Sequence, residues 1–110
     1  NDLLKEPKLS PEIMSEARYV RAKAYISLKQ ENKALADLKE ISKDTRTIHG
    51  AEAKYLLAQL YYDNKDDKNA ETVLMNFIEN GTPHQYWLAR GFILLIFISA
   101  KVMISKLVNI

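Results

Sequence analysis

The chain has no cysteine, which excludes disulfides and thiolate metal sites without choosing a compartment. Glycine and proline are scarce as well. Three of each among 110 residues, 47% of them hydrophobic, point to one domain of helices joined by short turns. An excess of either charge is also missing: sixteen Lys+Arg against fourteen Asp+Glu give +2, too near balance for a protein that tracks phosphates, so no nucleic-acid partner is expected. No catalytic signature stands in the chain. There is no G-x-x-x-x-G-K, no G-x-S-x-G and no spaced carboxylate dyad, and the serines lack a local histidine. The expectation is a protein that is not an enzyme and uses no cofactor.

What the chain does contain is a repeat. At an offset of 36, Ser15-Glu16-Ala17-Arg18-Tyr19 aligns with Ala51-Glu52-Ala53-Lys54-Tyr55, and Lys33-Ala34 aligns with Asn69-Ala70. At twice that offset Ser10-Pro11 aligns with Thr82-Pro83, each a capping hydroxyl followed by a proline suited to a first helical turn. The opening NDLLKE is similar to ADLKEI at Ala36–Ile41, so the chain is expected to begin inside the second helix of an earlier repeat.

Periodicity predicts a first helix from Ser10 to about Lys29, buried along Ile13, Ala17, Val20, Ala24 and Leu28. Gln30–Asn32 is a short turn, and Ala34, Leu38 and Ile41 carry an antiparallel partner helix. After the polar segment Ser42–Gly50, Leu57, Leu60 and Tyr61 line the next helix, and Asp63–Asn69 turns the chain. Ala70, Val73, Leu74, Phe77 and Ile78 then follow i, i+3, i+4, i+7, i+8, the most amphipathic pattern present. Gly81 is placed as a left-handed cap before the helix opened by Thr82-Pro83. The units so defined are 1–8, 10–44, 47–80 and an irregular third, 82–110.

That third unit differs in kind, since Phe92–Ile98 is apolar on every face. Its uncharged run Gly91–Ala100 falls short of the roughly 20 residues that span a bilayer, so no transmembrane segment is expected. Lys101–Ile110 is read as a degenerate partner helix. Residues 82–110 hold Arg90, Lys101 and Lys106 and no acid. A basic, apolar end suits an anionic membrane surface. The favoured expectation is a buried packing helix, because the apolar residues surround it instead of forming a stripe.

Leu57-Ala58, Tyr61, Ala70 and Leu74, with Ala22, Tyr25, Ala34 and Leu38 in the first copy, resemble the pattern of the tetratricopeptide repeat family, helix-turn-helix units of about 34 residues. Lys54 and Arg18 stand where the family has Trp, and Arg21 where it has Leu. The resemblance implies an all-α, right-handed α-solenoid of antiparallel hairpins. It also implies a concave surface lined by Tyr19, Lys23, Ile26, Tyr55, Gln59 and Tyr62, with Tyr86, Trp87 and Arg90 extending it. Such a surface would bind a protein or peptide partner, so the expected role is a protein–protein interaction scaffold. The alternative is a structural segment that forms a homo-oligomer, or joins a cell-envelope complex, through Phe92–Ile98. Likeness to Lys-, Asn- and Ile-rich bacterial repeat proteins points to the periplasm or cell envelope ahead of the cytoplasm.

Three further motifs are declined. His49 and His84 have no ligand at i+3 or i+4, so no metal site is expected and both are read as exposed loop residues. Asp63–Asp67 opens like a calcium loop but then offers Lys65, Lys68 and Leu74 where an oxygen donor, Gly and Glu are needed. Asn80-Gly81-Thr82 matches a glycosylation acceptor but is explained as a stop-start signal between helices.

Overall fold

The computed structural model describes residues 10–108, and the unit expected over residues 1–8 lies outside them. Five α-helices account for most of the described chain. They are α1 (Pro11–Ser27), α2 (Leu35–Ile41), α3 (Ile48–Asp63), α4 (Asp67–Asn80) and α5 (Gln85–Val108), with a 3-10 turn at Glu31–Ala34 leading into α2. Side-chain oxygens start three of them. The Ser10 hydroxyl accepts from the Ile13 N–H at 3.2 Å, Thr47 from Gly50 at 2.9 Å and Asp66 from Asn69 at 3.2 Å.

The two turns inside the hairpins are built alike. Lys29 and Lys65, 36 residues apart, both take left-handed φ values, 61° and 66°. The N–H groups that follow, on Gln30 and Asp66, donate to the carbonyls of Tyr25 and Tyr61, both at 2.8 Å. The side chains agree with the backbone: Ala22, Ala34, Ala58 and Ala70 are all 0% exposed, and Leu38 and Leu74 are buried with them. Small side chains at these points let paired helices approach closely.

One core cluster joins Ala22, Ala34, Leu38 and Ile41 to Ala53, Leu57 and Leu60 of α3. A second joins Tyr55 and Ala58 of α3 to Ala70, Leu74, Leu94 and Ile98. Helix α3 thus belongs to both. On α5 the residues turned back toward the preceding hairpin are Trp87, Gly91 and Leu94. They lie 34 positions after Ala53, Leu57 and Leu60, so the last step is two residues shorter than the first.

Between hairpins the connecting loops clasp each other. The Thr45 hydroxyl donates to the Gly81 carbonyl at 2.9 Å, the Thr82 hydroxyl donates to the Thr45 carbonyl at 2.6 Å, and His84 Nε2 meets the Arg46 carbonyl at 2.9 Å. Gly81 has φ 72° but ψ 177°, so its cap is an extended, positive-φ conformation open essentially to glycine alone, not the left-handed helical one expected. Within the first hairpin Arg21 donates to both carboxylate oxygens of buried Asp37, at 2.8 and 2.7 Å. Those hydrogen bonds raise the Arg21 pKa, keeping the guanidinium charged.

Two further expectations are corrected. On α1 the expected stripe faces the wrong way: Ile13, Val20 and Leu28 are 50%, 58% and 65% exposed, and Ala24 is exposed with them. The packed side carries Tyr19, Ala22, Tyr25 and Ile26, because α2 and α3 close on the small residue Ala22. The third unit is not a hairpin and is not buried. Lys101–Val108 continues α5 without a break, and only Gly91, Leu94 and Ile98 of the 24 residues are buried. Phe92, Ile93, Ile96 and Phe97 face solvent. By length and composition α5 could cross a membrane, which the count of uncharged positions alone does not reveal.

Candidate functional site

Helix α3 presents Glu52, Tyr55, Gln59 and Asp63 at i, i+3, i+7 and i+11, a spacing that places them along one face. Glu52 is only 7% exposed, and a carboxylate that deep needs donors. Helix α1 supplies two: the Tyr19 hydroxyl at 2.8 Å from Oε1 and Lys23 Nζ at 2.6 Å from Oε2. Burial, followed by the hydrogen bond to Glu52 and its charge, pushes the Tyr19 pKa up to about 12, so the phenol stays a neutral donor. The Tyr19 ring stacks on His49 with centroids 3.7 Å apart.

The row continues toward α5. The Tyr55 hydroxyl donates to Gln59 Oε1 at 2.9 Å, and Gln59 Nε2 donates to Asp63 Oδ1 at 2.9 Å. Arg90 donates to Tyr55 at 3.3 Å and to Tyr86 at 2.8 Å, with its guanidinium carbon 4.9 Å from the Tyr55 ring centroid. Two side-chain networks therefore stand in line on α3, one tying Glu52 to α1 and the other tying Tyr55 to α5.

Beside this row a notch of about 70 Å³ opens between the first two helical layers. Ile26, Leu38, Leu56 and Leu60 make its apolar wall, while Gln59, Glu31 and Asp63 supply polar groups. It is the size of a small aliphatic side chain, and its charged groups are both acids.

Of the seven residues expected on the binding surface, Tyr19 and Lys23 are held by Glu52, and Tyr55 is buried at 8% exposure beneath Arg90. Ile26 and Gln59 meet at the notch, and Arg90 is exposed at the α5 end. Tyr62 leaves the row. It packs edge-to-face on Phe97 at 5.9 Å, with Lys101 Nζ 4.6 Å above its ring.

The histidines are not free loop residues. His49 lies in the first turn of α3, half-buried on Tyr19, with Nδ1 3.5 Å from Glu16; His84 is part of the loop clasp. Among the described residues no three His, Cys, Asp or Glu side chains converge on a metal position.

Glu52, Glu31 and Asp63 are the functional candidates that sequence reasoning missed. For Glu52 the signal was a carboxylate three residues before Tyr55 on the same helix face, inside a segment already aligned with the Tyr19 segment. Comparison of the chain with models of protein families, with characterised proteins and with solved structures finds no match.

Proposed function

We propose that the chain is a tetratricopeptide-like interaction module, a right-handed solenoid segment that holds an extended or helical stretch of a partner protein along the α1–α3–α5 row. The observation that carries this reading is the notch walled by Ile26, Leu56 and Leu60 and edged by Gln59, Glu31 and Asp63. A partner's Ala or Val side chain fits its volume, and the two acids favour a Lys or Arg beside it. Because Tyr19, Lys23, Tyr55, Gln59 and Arg90 are already fixed by hydrogen bonds, little ordering cost remains at binding. The module binds and does not transform its partner.

Selection of a random peptide library against the chain tests this. Enriched peptides should pair a small aliphatic residue with a basic one, and Asp63→Lys should weaken their binding about tenfold or more while leaving the melting temperature unchanged. Failure to enrich any peptide, or equal binding by the Asp63→Lys variant, overturns the reading.

A second reading, a structural segment that self-associates or joins an envelope assembly through α5, is favoured by the exposure of Phe92, Ile93, Ile96 and Phe97. Sedimentation equilibrium separates the two, since a monomer at high concentration removes the self-association reading.

A further inference from the structure

The last ten described residues of α5, Ser99–Val108, are all exposed. Helix α5 is held to the hairpin up to the level of Lys101, whose Nζ lies 2.9 Å from Asp67 Oδ2. Beyond it Val102, Met103 and Ile104, then Leu107 and Val108, are large apolar side chains in solvent. Successive helical positions turn by about 100°, so Val102, Met103 and Ile104 alone sweep more than half the circumference. One neighbouring helix covers a stripe, not a circumference.

A further repeat helix also fits poorly against α5. At the 34-residue step the counterpart of Ala58, the fully buried small residue that lets α4 close on α3, is Phe92. The bulky ring would hold a helix placed that way at a greater distance. Hydrocarbon, by contrast, surrounds a helix evenly. The only charges on α5 are Arg90, Lys101 and Lys106, without an acid, which suits anionic headgroups.

We infer that the part of α5 beyond Lys101 inserts into an anionic bilayer, with the hairpins outside. The seven described residues beyond Lys101, Val102–Val108, rise about 10 Å, a third of a hydrocarbon core of about 30 Å. Tyr62, Phe97 and Lys101 meet where α5 leaves the hairpin, an aromatic and basic collar at the depth where headgroups would lie. Nearby Lys65, Lys68 and Lys101 are balanced by Asp63, Asp66 and Asp67, so the headgroup attraction falls mainly to Lys106, whose stem lets its ammonium rise toward the interface. This inference is independent of the notch and survives if no peptide binds there.

The absence of cysteine makes a direct test available. Ile104→Cys carries an environment-sensitive fluorophore in the full chain, and Ser27→Cys, on exposed α1, serves as the control. On addition of phosphatidylcholine vesicles containing phosphatidylglycerol, the label at position 104 should shift to the blue and be quenched by spin-labelled acyl chains, while that at position 27 stays unchanged. Binding should weaken by about fivefold in Lys106→Gln, the effect of one basic residue near an anionic surface. Met103→Glu with Leu107→Glu, both at exposed positions, should abolish binding with helical content and melting intact. An unshifted label at position 104, or one already shielded without vesicles in a sedimenting oligomer, overturns the inference and in the second case assigns the helix to copies of the chain.

Discussion

Gly50→Ala is the sharpest test of the packing, because two effects of known size oppose each other there. Gly50 lies in the first turn of α3, and in an ordinary helix interior alanine in place of glycine stabilises by about 1 kcal/mol. Here the new Cβ would stand 1.8 Å from the Asp44 carbonyl oxygen, 2.7 Å from its carbon and 2.9 Å from Thr47 Oγ1. A close C···O contact needs about 3.3 Å, so the loop must retreat by about 1.5 Å. The loop is not free to retreat, since Thr45 and Arg46 clasp Gly81, Thr82 and His84. Loss of two neutral hydrogen bonds costs about 2 kcal/mol and overpacking about 2 more. Less the propensity gain, the net loss is about 3 kcal/mol, a fall in Tm of more than about 10 °C. Urea denaturation followed by circular dichroism measures it. Gly91→Ala is the control, since its Cβ would meet only side chains, Phe77 at 3.2 and 3.4 Å and Leu74 at 3.5 Å, and it should stay within about 1 kcal/mol of wild type. If Gly50→Ala equals or exceeds wild type in stability, the clasped loop is not as described.

The raised pKa of Tyr19 gives a pH dependence of defined sign. A phenol at about 12 in the folded chain and about 10 unfolded contributes stability that is complete below pH 10 and lost as pH rises to 12. The stability difference between wild type and Tyr19→Phe should therefore be constant at neutral pH and shrink across that window; a difference that does not change with pH would show that Glu52 does not hold the hydroxyl. For the Arg21–Asp37 pair, Asp37→Ala should cost about 2 kcal/mol by leaving a guanidinium only 30% exposed without its partner. Arg21→Met with Asp37→Leu should recover most of that loss in the same denaturation assay, and a neutral Asp37→Ala would place the pair in solvent.

The parts of the fold legible in the sequence are those where one residue type has one packing role. Ala22, Ala34, Ala58 and Ala70 recur at the step of 36 because close helix approach admits little else, and all four are fully buried. On α1 the same reasoning failed, since apolar residues sit on both sides and periodicity alone could not choose between Ile13–Val20–Leu28 and Ala22–Tyr25–Ile26. For α5 an apolar circumference offered no face to read, and the shorter step of 34 moved its packed residues off the repeat register. Glu52 was missed because its donors lie 33 and 29 residues earlier, a pairing that exists only once α1 and α3 are side by side. The aromatic row was easier to see than to interpret, and much of it turns out to bind the helices to each other.

Helix α3 carries Ala53, Leu57 and Leu60 into one core and Tyr55 and Ala58 into the other. Among the described residues there is consequently no internal seam. Detaching the α1–α2 hairpin, or α4 with α5, would strip one side of a helix that the rest still needs, so partial unfolding of the described residues should reach α3 last. Between Pro11 and Val108 a protease meeting the native fold would therefore find no point at which to divide it into two folded halves.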